Sequence, residues 1–119
     1  MTSELTNQAK KLVGKNLSES EAKIYLSLLE LGRGTVSQIS RLSGVPRTYT
    51  YTVLDSLSEK GLVHITGREP KEEYAAEPPE TLTSYFELLA KESQDMLNAV
   101  RTQLPELKAL TRAENRPKI

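Results

Sequence analysis

The chain of 119 residues contains no cysteine, so disulfide frameworks, thiolate metal sites and cysteine nucleophiles are excluded. Its one histidine, His64, cannot supply a histidine-based metal cluster. No apolar run approaches the roughly 20 residues of a membrane span. No charged-then-apolar signal segment opens the chain either, so a cytoplasmic protein away from membranes is expected. Internal repeats, low-complexity segments, Gly-rich phosphate loops and Ser/His/Asp sets are absent too. The carboxylates are scattered, and Glu72 and Glu73 alternate around a predicted strand rather than converging on a cleft. The expectation is a non-enzymatic protein with no catalytic residues, no metal and no cofactor.

An excess of either charge is also lacking, since 16 Lys and Arg face 16 Asp and Glu. A neutral total argues against nucleic-acid binding. The distribution answers part of that objection. Residues 33–71 hold six bases and three acids, whereas residues 72–119 hold six bases and nine acids. The middle is basic and the tail acidic, and local field matters more than the total at a surface that meets phosphates. With this balance, DNA affinity should be moderate and fall steeply with added salt.

What the chain does contain is a run of helix signals. Residues 4–14 carry Leu5, Ala9, Leu12 and Val13 at helical spacing, with Lys10, Lys11 and Lys15 forming a solvated face. Ser18 and Glu21 have the capping-box form and open a helix that passes Tyr25 and stops near Gly32. Thr35 and Gln38 repeat the pattern before a short helix over residues 36–42. Pro46 then suits a first helical turn, and Gly61 the left-handed position after a helix end. Between them, Thr50, Val53, Leu54 and Leu57 make an inward face, leaving Arg47, Thr48, Tyr49, Tyr51, Thr52 and Ser56 outward. Two short helices joined by a glycine-containing turn are a helix-turn-helix. The strand-like residues 62–65 and 71–76 flank a loop at 66–70, which completes a winged helix. The expected core is Ile24, Leu28, Leu29, Val36, Ile39, Leu42, Val45, Val53, Leu54, Leu57, Leu62 and Val63. His64 reads as an ordinary, partly buried strand residue.

From residue 78 the pattern becomes a four-three seam. Leu82, Phe86, Leu89, Met96, Val100 and Leu107 lie on it with Leu110, interrupted by Ser93 and Gln103. Pro105 should kink or divide this helix. The fold class is therefore mainly α with a small β-hairpin: a winged helix-turn-helix plus a long C-terminal dimerisation helix. The expected divisions are a DNA-binding domain at 1–77, a coiled-coil-like helix at 78–113 and a flexible tail at 114–119.

These residues resemble the TrmB-like family of winged-helix transcriptional regulators, best known from archaea. The resemblance rests on residues 17–25, on Gly44, Val45, Pro46 and Arg47 with Tyr51, and on residues 57–63. Pro70 and Lys71 in the wing and Pro78, Pro79 and Glu80 at the next helix start add to it. It covers about residues 5–90, and the separate pieces also fit the MarR and ArsR groups. Many members have a second arginine where this chain has Tyr49, so base contacts there do not carry over. Larger members add a C-terminal sugar-binding domain. This chain ends after the long helix, so a sugar effector is not carried over from the resemblance.

The expected partner is double-stranded DNA, bound by a homodimer. Arg47 begins the recognition helix, where an arginine contacts either guanine or phosphate; otherwise it is a surface residue paired with an acid. Tyr49 and Tyr51 either reach sugars and phosphates or, chiefly Tyr51, fill the gap between helix and wing. Thr48, Thr52 and Ser56 offer hydroxyls to DNA, or bond back to their own backbone. Thr35, Ser37 and Gln38 cap a helix whose N–H groups can also meet a phosphate. Arg68 and Lys71 would reach the flanking backbone from the wing, although exposed loop cations are common. A small-molecule effector could sit between long helices, but no residue set announces one. The rival class is a winged helix serving as a protein-interaction module, which the neutral charge favours and the hydroxyl-and-arginine face opposes. An architectural chromatin protein would carry more lysine on its outer faces.

Overall fold

A computed structural model describes residues 3–67 and 72–111 and contains five helices and two strands among them. Two compact units result, residues 1–82 and residues 83–119. In the first, α1 (Ser3–Leu12) packs on α2 (Glu19–Leu31), and its buried residue is Ala9. Gly14 and Leu17 close the connection by exchanging backbone hydrogen bonds of 2.9 and 3.4 Å, which buries Leu17.

Both expected capping boxes form. At α2 the Glu21 N–H donates to Ser18 Oγ at 3.1 Å, and the Ser18 N–H donates to Glu21 Oε1 at 3.0 Å. Thr35 and Gln38 repeat the exchange at α3 (Val36–Ser43). Each pair satisfies two N–H groups that a helix start leaves without partners.

The turn into α4 (Arg47–Glu59) is held by side chains. Ser40 Oγ and Thr50 Oγ1 both donate to the Val45 carbonyl, and the Val45 N–H donates to Ser43 Oγ. Pro46 is the N-cap residue, one place before the expected first-turn position, because its ψ of 141° is extended. Its carbonyl still receives the Thr50 N–H at 2.8 Å. At the other end, Gly61 adopts a φ of 74°. The Gly61 N–H reaches the Ser58 carbonyl and the Leu62 N–H reaches that of Leu57, each at 3.0 Å. This paired closure turns the chain directly into β1.

Strands β1 (Val63–Thr66) and β2 (Glu73–Ala76) pair antiparallel, with Ile65 opposite Tyr74. Gly34 adds a third backbone segment by giving its N–H to Tyr74 and taking the Tyr74 N–H, at 2.9 and 2.8 Å. A Cβ at Gly34 would stand 3.0 Å from Leu31 Cδ1, so a larger residue there would require the Leu31 side chain to shift by a few tenths of an ångström. The buried Tyr25 donates its hydroxyl to the Glu77 carbonyl at 2.7 Å, tying α2 to the end of the hairpin.

Ten of the twelve expected core residues are buried. Leu29 is exposed and Leu42 half-buried, because the buried side of α2 follows Glu21, Ala22, Ile24, Tyr25 and Leu28. His64 is exposed rather than partly buried, and its Nδ1 lies 2.8 Å from Glu77 Oε1.

Helix α5 (Pro79–Ala109) passes through Pro105 without being divided, and none of its residues is buried. No helix among the described residues is long and apolar enough to cross a membrane.

Candidate nucleic-acid interface

The inward side of α4 is sealed by Thr50, Val53, Leu54 and Leu57, all buried. Thr50 is polar yet accommodated, since its hydroxyl donates to the Val45 and Pro46 carbonyls at 3.2 and 2.9 Å. With that side fixed, helical geometry dictates what points away. Arg47, Thr48, Tyr49, Tyr51 and Thr52 are exposed, as expected. Tyr49 and Tyr51 each keep about half of their surface open, at 49% and 47%. Arg47 forms no ion pair with any described residue.

Ser56 does not belong to this free set. Its hydroxyl donates to Glu21 Oε2 at 2.9 Å, beside the Lys60 ammonium, which binds the same oxygen and the Asn16 carbonyl. Burial alone would raise the Glu21 carboxyl. The Lys60 ammonium, the Ser18 N–H and the Ser56 hydroxyl outweigh it and hold the group below the usual carboxylate range. Sequence reasoning assigned Glu21 to its cap only. The distance of 35 residues to Ser56 left no local signal of the second role.

The outermost line of α4 runs Thr48, Thr52, Asp55 and Glu59, all exposed, at spacings of four, three and four. Hydroxyls occupy its N-terminal half and carboxylates its C-terminal half. Toward the hairpin, burial first, then Glu72, Asp55 and Tyr51, push the Tyr74 phenol above its ordinary value.

At the start of α3, Thr35 and Gln38 spend their side-chain oxygens on capping, and Ser37 is half-buried. Arg68 and Lys71, expected in the wing, lie outside the described residues. On α5, Phe86, Met96, Val100 and Leu107 are exposed, while Leu82 and Leu89 are half-buried. Leu97 and Leu104, which the seam reading missed, are each 42% exposed. With Val100 and Leu107 they form a second four-three line that bypasses Gln103, a pattern present in the sequence but masked by the first.

A helix-turn-helix closed by a hairpin, in this order and with these turns, is matched over residues 12–80 by the family model described as sugar-specific transcriptional regulator TrmB. The chain belongs to the TrmB family. Its relatives include the HTH-type sugar sensing transcriptional regulator TrmBL1 of Pyrococcus furiosus, 35% identical over 114 residues. That alignment takes in 88% of this chain and 33% of TrmBL1. YrhO of Bacillus subtilis is 37% identical over 81 residues, or 67% of this chain and 29% of YrhO. The chain thus spans about a third of the length of these relatives. Among solved structures, TrmBL2, described as an archaeal chromatin protein with a novel mode of DNA binding, superposes with a TM-score of 0.79 at 24% identity. The superposition covers 91% of this chain and 42% of TrmBL2. A MarR family transcriptional regulator from Silicibacter pomeroyi superposes with a TM-score of 0.55 at 17% identity, covering 90% of this chain and 81% of that one. Both likenesses are of fold alone.

Proposed function

We propose that this TrmB-family protein is a sequence-specific, double-stranded DNA-binding transcriptional regulator acting in the cytoplasm as a homodimer. The observation that carries the reading is the exposed face of α4, where a guanidinium, hydroxyls and two phenols stand over a sealed inner side. Such a face suits the major groove, with the N-terminal residues of the helix at base edges. Arg47 and Thr48 come first and make the leading contacts, with Thr52, Tyr49 and Tyr51 behind them. The start of α3, at Thr35, Ser37 and Gln38, braces against a phosphate, and Arg68 and Lys71 meet the flanking backbone. The name of TrmBL1 as a transcriptional regulator agrees with this reading.

The apolar stripe on α5 supports a homodimer, because a heptad seam buries its face against a partner helix. A two-fold dimer sets two recognition helices on half-sites separated by one or more turns of DNA.

Fluorescence anisotropy of Arg47→Ala on a duplex at low salt tests the interface. A loss of about tenfold in affinity is expected for removal of one arginine contact. Unchanged affinity would remove Arg47 from the interface. Selection of bound duplexes from a random pool tests specificity, and a pool without consensus would turn the reading toward DNA coating.

A further inference from the structure

The outward line of α4 contains one residue that a phosphate-binding surface alone would not include. Asp55 is exposed three positions after Thr52 and seven after Thr48, and it forms no ion pair with any described residue. Glu59 follows on the same line, and, behind burial, the charges of Glu72 and Asp55 help to push up the Tyr74 phenol. Each of these carboxylates repels the phosphates of any duplex that approaches it.

An ionised carboxylate accepts hydrogen bonds and donates none. It is repelled by phosphate oxygens and by the acceptor edges of guanine and thymine. Two bases offer amino groups in the major groove. Adenine sets its amino group beside the N7 acceptor, whereas cytosine presents its N4 amino group with no adjacent acceptor of its own. A lone carboxylate is therefore best matched by cytosine.

We propose that Asp55 is a specificity-determining residue, accepting the N4 amino group of a cytosine in each half-site and penalising duplexes that present no donor there. The inference rests on the DNA-binding reading above and refines it. The charge weakens nonspecific binding everywhere and is compensated only at the matching base.

The test compares the wild-type full chain with Asp55→Asn and Asp55→Ala by anisotropy. The two probes are a duplex selected by the wild type from a random pool and a scrambled duplex of the same composition. Affinity of both variants for the scrambled duplex should rise about tenfold, and the ratio between the two duplexes should fall by at least that factor. The salt dependence on scrambled DNA should steepen by about one counterion, and reselection should lose a cytosine preference at one position per half-site. An unchanged ratio, or equal weakening on both duplexes, would overturn the assignment and leave Asp55 a structural residue of the hairpin corner. A wild-type chain that binds neither duplex at low salt would overturn the DNA-binding reading, and this inference with it.

Discussion

The Glu21 carboxylate receives the Ser18 N–H at its own cap and the Ser56 hydroxyl and Lys60 ammonium from the far end of α4. One side chain therefore starts α2 and fixes the recognition helix against it. Glu21→Gln should lower stability by about 2 kcal/mol in urea unfolding, since bonds to a charged group are lost and Lys60 keeps its charge. The folded carboxyl titrates lower than the unfolded one, so ionisation stabilises the fold at pH above the ordinary glutamate range. That contribution is lost as pH falls through the lowered folded value. Unfolding curves of wild type and Glu21→Gln should accordingly converge in acid. A constant gap across pH would show that the carboxylate charge is not the source. Residue roles of this kind were half legible: the cap from a three-residue spacing, the clamp not at all. The bond from Ser56 is illegible for the same reason, because its acceptor arrives from another helix.

Helices α3 and α4 owe their boundaries to a few local bonds, which is why their extents were readable within a residue or two. Thr35→Ala should cost about 1 kcal/mol by removing an N-cap acceptor, and Thr35→Ser should restore most of it. Thermal unfolding measures both. A further loss of DNA affinity in Thr35→Ala beyond what Thr35→Ser shows would assign the start of α3 a contact of its own. The hairpin was legible as two strands, but its third segment was not. Gly34 looked like a turn residue, and only the approach of Tyr74, 40 positions later, gives its N–H and carbonyl their partners. Leu29 was misjudged because two apolar neighbours on one helix turn compete for the core, and periodicity alone does not rank them.

For the whole protein, the question is what covers the stripe on α5. A pair of carboxylates at Leu97 and Leu104 would be buried without partners in a dimer, which costs far more than their exposure in a monomer. Leu97→Asp with Leu104→Asp should therefore sediment as a monomer where the wild type sediments as a dimer, with helix content of the first unit unchanged. A wild-type monomer at tens of micromolar, about where a functional dimer should be formed, would count against the homodimer. Loss of dimerisation should also weaken operator binding, since each protomer would hold one half-site. The sequence alone determined the helices, their caps and the inward face of α4, because those depend on spacings of three and four along one segment. Tertiary structure alone decided which outward groups remain free. Ser56 is taken by Glu21 and Gly34 by Tyr74, while Asp55 is exposed and forms no ion pair among the described residues, since partners brought together across 35 or more residues leave no trace in local periodicity.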